Sequence, residues 1–146
     1  CEWAIEVFRE LPDSKLKIYG NLPVDYTEDD LPDNVQFKGF VENVPYENHE
    51  GYISCSMSEC FANAAVEASS FGLVCLLSDV DLAHKFYASK CENTRVFRTP
   101  KELKSILLDY RKGGCFKSSR FYSCYTKDAV LELYRYLILV LWGKNV

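Results

Sequence analysis

Residues 51–78, GYISCSMSECFANAAVEASSFGLVCLLS, hold two apolar runs separated by a run of small residues that ends at a glycine. The first run, 51–56, predicts a β-strand, and the second, 73–78, is apolar throughout and predicts a strand buried on both faces. The alanine-rich run predicts a helix that begins near Ala62 or Asn63 and stops at the glycine, which adopts the left-handed conformation without steric cost. A strand, a helix and a strand in this order predict a parallel pair.

Further elements flank this unit on both sides. Residues 21–34 are polar, acidic and rich in proline, and predict a loop with at most one helical turn. The order of the elements predicts an α/β layered domain with a largely parallel sheet. The other predicted elements are helices over 3–11, 45–50, 82–88, 100–113 and from 126 onward, and strands over 16–20, 35–40 and 95–98.

Composition points to one domain over residues 1–146, because 48% hydrophobic and 14% aromatic residues suffice for a single core. The net charge of −4 arises from interspersed acids and bases. No broad cationic stripe is present, and we therefore exclude nucleic acid as a partner.

Seven cysteines, an odd number without a C-x-x-C pair, fit a reduced intracellular protein. The two histidines, His49 and His84, lie far from any cysteine pair, so no zinc ligand set is predicted. With no signal peptide in the sequence, the expected location is the cytoplasm, and peripheral membrane association through another part of the protein stays open.

The two ends of the chain suggest a piece of a longer protein. The sequence starts at Cys1, already inside a helical pattern. Near the other end, residues 130–142 are apolar on nearly every side, but this run is too short to span a bilayer and carries two charges. We expect the helix over 126–146 to pack on a partner domain outside this sequence.

Glu59 and Glu67 stand eight positions apart across the predicted turn and helix start. Ligands of parallel sheets bind beyond the carboxyl ends of the strands, and a helix N-terminus suits a phosphate. Glu67 shares a helix face with Asn63, and its carboxylate can accept two ribose hydroxyls, while Glu59 would lie on the other side of the ligand. The alternative is that both glutamates only face solvent.

The ordered motifs resemble the C-terminal, donor-binding domain of retaining glycosyltransferases of the GT-B fold, of the family 4 type. The resemblance covers roughly residues 3–110. It implies a Rossmann-like three-layer domain with a mainly parallel sheet that lacks its first strand. The motifs are LKIYG at 16–20, NVQFKGFV at 34–41, GYISCSMSECFANAAVEASSFGLVCLLSD at 51–79 and VFRTPKELKSILLDY at 96–110.

The resemblance implies a site for the donor sugar and its phosphates at the start of the central helix. Backbone N–H groups of Phe61, Ala62 and Asn63 would bind the diphosphate or the transferred sugar, with Gly20 also at the donor site. Glu59 would bind sugar hydroxyls near the reacting carbon. It is the candidate catalytic residue, although a donor clamp describes it better than a nucleophile.

The rest of the nucleotide is assigned in the same way. The resemblance implies that Glu67 binds the ribose and that Phe40 and Val41 contact the base. The implied donor is a UDP- or GDP-linked sugar, transferred with retention and without a metal or other cofactor. The acceptor, a glycan, a lipid or a protein, would be held by an N-terminal domain outside this sequence.

Three departures from the family pattern weaken the expectation of catalysis. Cys60 and Ala62 replace glycines, and residues 79–82 stand where the family has Gly-Gly-x-x-Glu. The Arg and Lys that hold the diphosphate in the family would precede Cys1, and without them the leaving group loses its strongest electrostatic stabilisation. The resemblance implies a glycosyltransferase of the hexosyltransferase type, but we expect this chain alone to bind nucleotide weakly and to transfer no sugar.

Two other functions stay open. One is a non-catalytic nucleotide-binding or interaction domain that keeps the fold. The other is a metal-dependent enzyme, because Asp79 and Asp81 form a D-x-D motif after an apolar strand, as in sites for Mg²⁺ or Mn²⁺. Against it, capping or turn roles suit these residues better. We expect His49 to be solvated and Tyr46 and Tyr52 to pack rather than to form a ligand platform.

Overall fold

A computed structural model describes residues 1–58, 62–79, 82–89 and 93–113. It shows an α/β domain in which helices and strands alternate along the chain. The predicted α/β class is therefore confirmed. The strands are β1 Leu16–Tyr19, β2 Val35–Gly39, β3 Gly51–Ser54, β4 Val74–Ser78 and β5 Thr94–Phe97, and the helices are α1 Glu2–Arg9, α2 Asn63–Ser70, α3 Leu82–Ala88 and α4 Pro100–Arg111, with short 3-10 turns at Glu28–Asp30 and Tyr46–Asn48.

The strand pairs among the described residues are all parallel, but they form two small sheets. One contains β1 and β2, and the other has the order β3-β4-β5. No ladder joins β1 to β3 in the part of the chain that the structure describes. The arrangement is compatible with a Rossmann-like fold, although the single sheet that the sequence suggests is divided here.

Strand β4 is the centre of the domain, and all five of its residues are buried. Because side chains alternate across a strand, Val74 and Leu76 join a core with α1 and α4. Cys75 and Leu77 join a second core, which contains alanines of α2 and Tyr87 of α3. Helices thus cover both faces of this sheet, as predicted for a strand buried on both sides.

The loop before β2 is tied to the end of α1 by one side chain. The Asn34 side-chain amide lies 2.9 Å from the carbonyl oxygen of Phe8, 3.0 Å from that of Leu11 and 2.7 Å from that of Ser14. The side chain of Asn34 thus holds the last turn of α1 and the segment that follows it against the start of β2. The predicted single helical turn in this loop is confirmed at Glu28–Asp30.

Helix ends follow the predicted signals, with small shifts elsewhere. Gly72 follows the C-cap residue Phe71 of α2 and adopts φ +81°, as expected for a glycine stop. Thr99 caps α4, since its Oγ1 accepts from the Glu102 N–H at 3.2 Å. The Glu102 carboxylate, however, accepts from the N–H of Arg98 at 2.7 Å and not from that of the cap. Strand β5 lies one residue earlier than predicted.

Among the described residues, no helix is both long enough and apolar enough to cross a membrane. The predicted helix from residue 126 onward lies outside the described residues. The expectation that it packs on another domain therefore stays a prediction.

Candidate functional site

The carboxyl ends of β3 and β4 are joined by a side chain where the sequence predicts the ligand. The Ser78 hydroxyl at the end of β4 donates to the Ser56 carbonyl at 2.5 Å, just after β3. Cys55 lies beside the backbone N–H of Ala4 in α1, and burial raises the pKa of its thiol. The start of α1 therefore lies at the same edge.

Helix α2 begins at Asn63, within the predicted interval. Its N-cap residue Ala62 is buried and makes no side-chain cap bond to the first turn. An alanine has no acceptor to offer to the N–H groups that a helix leaves without partners in its first turn. This helix start is suited to an anionic group supplied by a ligand.

Glu67 lies one turn into α2 and is exposed, as is Asn63 four residues earlier. Its carboxylate Oε2 accepts a hydrogen bond of 3.1 Å from the hydroxyl of Tyr46. Tyr46 is buried against the second core, which confirms its predicted packing, and its ring stacks on Phe71. Burial, followed by the neighbouring Glu67 charge, raises the pKa of Tyr46, so this hydroxyl remains a donor.

The remaining described site residues follow β1 and β2. Gly20 has φ +100°, and its N–H donates to the carbonyl of Gly39 at 2.8 Å. Phe40 comes next along the chain and is 81% exposed, whereas Val41 is 41% exposed. A phenylalanine this exposed offers an apolar surface next to the carboxyl ends of both strands.

Two predicted site residues, Glu59 and Phe61, lie outside the described residues, and so does Asp81 of the D-x-D motif. Their assigned roles therefore stay predictions. The structure brings Glu67, Asn63 and Ala62 together on one helix start. Gly20, Phe40 and Val41 form a second group after β1 and β2.

Asp79 is buried at the carboxyl end of β4 and is neutralised by protein cations. Arg98 Nε donates to its Oδ2, and Lys85 Nζ lies 3.6 Å from its Oδ1. The hydrogen bond from Arg98 lowers the pKa of this carboxyl, and the charges of Arg98 and Lys85 act in the same direction. Both carboxylate oxygens thus face cations of the protein, an arrangement that differs from an open metal site.

Both histidines have structural partners. His84 is buried, and its Nδ1 lies 3.0 Å from the Ser78 carbonyl oxygen and 3.1 Å from the hydroxyl oxygen of the same serine. His49 Nε2 lies 3.0 Å from the hydroxyl of Tyr19, and burial lowers the pKa of this histidine. The expectation that His49 is simply solvated is therefore too simple, because it is part-buried in a pair.

One contact at the candidate site that the sequence did not indicate joins Tyr46 and Glu67. These residues are 21 positions apart, and no spacing pattern links a 3-10 turn to the next helix. Only the choice of a tyrosine for a buried position was informative, because a buried tyrosine hydroxyl usually finds a partner.

The chain matches no protein-family model and no curated protein.

Proposed function

We propose that this chain is the nucleotide-sugar-binding domain of a retaining glycosyltransferase of the GT-B type. The observation that carries the proposal is the position of Glu67. Its carboxylate is exposed on α2, oriented by Tyr46, and one turn from a helix start without a side-chain cap. An acceptor for ribose hydroxyls next to a site for phosphates is what a nucleotide requires.

The phosphates and the base can be placed around this pair. In our proposal the N–H groups at the start of α2 bind the diphosphate, with Ala62 and Asn63 at the contact. The exposed ring of Phe40 supports a contact to the base, since aromatic side chains stack on every base without strong preference. Glu59 and Phe61 would complete the donor site on the side of the sugar.

In the proposed reaction, this domain binds the donor and a second domain binds the acceptor. The donor sugar binds here, and its bond to the nucleoside diphosphate breaks as the acceptor oxygen forms a bond on the same face of the sugar. The proton of the acceptor hydroxyl passes to the leaving phosphate oxygen. We assign the acceptor to another domain and expect no transfer by this chain alone. Two described cations near this edge of the sheet, Lys85 of α3 and Arg98 after β5, face Asp79 and are poorly placed to stabilise a leaving diphosphate.

The same observation favours a second candidate, a nucleotide-binding domain without catalysis. Such a domain would need the helix start and Glu67 but no cation for the leaving group. The metal-dependent alternative is less well supported, because Arg98 and Lys85 already neutralise Asp79. Tight Mn²⁺ binding that is lost in Asp79→Asn would restore it.

Saturation-transfer NMR against UDP-, GDP- and ADP-sugars tests the proposal. We expect the chain to bind at least one donor, and Glu67→Gln to weaken this binding about tenfold or more, because a hydrogen bond to a charged group contributes about 1.5–3 kcal/mol. The matched control is Glu6→Gln, an exposed glutamate of α1, whose helix packs on the other core. Binding that ignores the change at Glu67 would remove the site assignment.

A further inference from the structure

Tyr46 is held at the surface of the second core with only its hydroxyl directed at Glu67. The residue is 7% exposed and packs with Ala62, Ala65 and Ala68 in that core. Its backbone is fixed on both sides, since its N–H donates to the Val44 carbonyl at 2.9 Å and its carbonyl accepts from the His49 N–H at 3.0 Å. The donor in the contact with Glu67 therefore has little freedom to move.

The ring of Tyr46 is held from a second direction. It stacks on Phe71 with ring centroids 5.5 Å apart and an interplanar angle of 29°. Phe71 is the C-cap residue of α2, and Glu67 lies one turn earlier on the same helix. The phenol and the carboxylate are thus positioned by one rigid unit, whereas an exposed glutamate would otherwise sample several rotamers.

The hydrogen bond from Tyr46 makes the two oxygens of the Glu67 carboxylate inequivalent. Oε2 accepts from the Tyr46 hydroxyl at 3.1 Å. Over residues 1–58, 62–79, 82–89 and 93–113, Tyr46 is the one side chain that donates to this carboxylate. Oε1 is then the atom that a hydroxyl of a ligand would meet.

We propose that Tyr46 is a positioning residue, which holds the Glu67 carboxylate so that Oε1 accepts a hydrogen bond from a ribose hydroxyl of the bound nucleotide. This inference rests on the proposed function, and it adds a source of specificity. A ligand that has the ribose hydroxyl forms a hydrogen bond with the fixed acceptor. A ligand that lacks this hydroxyl leaves Oε1 of Glu67 without a partner in the complex. The site should therefore prefer ribonucleotides over deoxyribonucleotides, and Tyr46 should set the size of that preference.

The test measures the preference and not affinity alone. Dissociation constants of the 146-residue chain are measured for UDP, GDP and their 2′-deoxy and 3′-deoxy counterparts, and the ratio of deoxy to ribo values is taken for each pair. We expect Tyr46→Phe, which keeps the ring stacked on Phe71, to lower the ratio about fivefold, because the carboxylate stays in place but is no longer held in one orientation. Glu67→Gln should lower the ratio further.

The matched control is Tyr87→Phe. Tyr87 is also buried in the second core, and its hydroxyl donates to the Ala65 carbonyl of α2 at 3.2 Å. This change also removes a tyrosine hydroxyl bonded to α2, but away from Glu67, so it should leave the ratio at the wild-type value. If Tyr46→Phe does not fold, 3,5-difluorotyrosine at position 46 keeps the shape with a stronger donor and should change the ratio.

The outcomes separate the two proposals. If Glu67→Gln abolishes the preference while Tyr46→Phe retains it or weakens all ligands equally, Tyr46 has only a structural role and the inference is wrong. An unchanged ratio with 3,5-difluorotyrosine at position 46 would also mean that the inference is wrong. If the wild-type chain binds none of these nucleotides, or if Glu67→Gln changes nothing, the proposed function fails and the inference fails with it.

Discussion

Asp79 shows how a residue with the sequence signature of a metal ligand can have another role. Its carboxyl is buried at the end of β4, where a metal-binding aspartate would also lie. Arg98 and Lys85 approach it from the segment after β5 and from α3. The ion pair joins three elements at the carboxyl edge and so stabilises the platform on which the proposed site is built.

The ion pair predicts a dependence of stability on acid pH. The Arg98 hydrogen bond holds the pKa of Asp79 below its ordinary value of 3.8. The stabilisation is therefore fully present above the ordinary pKa and is lost as the pH falls through the lower folded-state pKa. In urea unfolding between about pH 5 and 2, Asp79→Asn should flatten the loss of stability. Asp33→Asn, at an exposed aspartate, is the control, and equal slopes for the two variants would contradict the prediction.

Substitutions at Gly20 and Gly72 can be compared to distinguish the conformational cost of losing a glycine from a role of Gly20 in binding. Both have positive φ, +100° and +81°, and an added Cβ would meet no atom within 4 Å at either. Alanine at either position should therefore cost about 1 kcal/mol in the free energy of unfolding, from backbone strain alone. If Gly20 lies at the donor site, nucleotide binding measured by NMR should weaken only in Gly20→Ala. Equal binding by both variants would remove Gly20 from the site.

At the scale of elements, α4 depends on one side-chain cap. Thr99 Oγ1 accepts from the Glu102 N–H, and Pro100 takes the first helical position. Thr99→Ala should lower the free energy of unfolding by about 1 kcal/mol, because that N–H loses its partner. Urea denaturation checks the value. Ser105→Ala, at an exposed interior position of the same helix, should not lower the free energy of unfolding, because alanine is the better helix former, and a similar loss in both would argue against the cap.

Elements with strong local signals were predictable within a residue or two. The apolar run of β4, the glycine after α2 and the threonine and proline before α4 each act through neighbouring residues, so the sequence contains the whole cause. The partner of Glu102 was not predictable in this way. Its carboxylate can reach either the cap N–H or the one before it, and the choice depends on how the chain leaves β5.

At the scale of the whole molecule, the class of fold was predictable and the division of the sheet was not specified. Alternation of elements predicts parallel strands. Whether β1 pairs with β3 to form one sheet depends on contacts between distant segments, and in the described residues these two strands do not pair. The same limit applies to the site. The sequence indicated Glu67 and the start of α2, whereas the bond from Tyr46 arises only when the turn and the helix pack on one core.

The double burial of β4 has a consequence for the opening motions of the molecule. This strand pairs with β3 on one side and β5 on the other, and its side chains enter both cores. Its amides should therefore exchange with deuterium only when the whole domain unfolds, and the opening free energies obtained from their exchange rates should equal the free energy of global unfolding. The first turn of α2 should exchange faster, through local opening, and nucleotide should slow exchange there most. Fast exchange in β4 would mean that the two cores open independently.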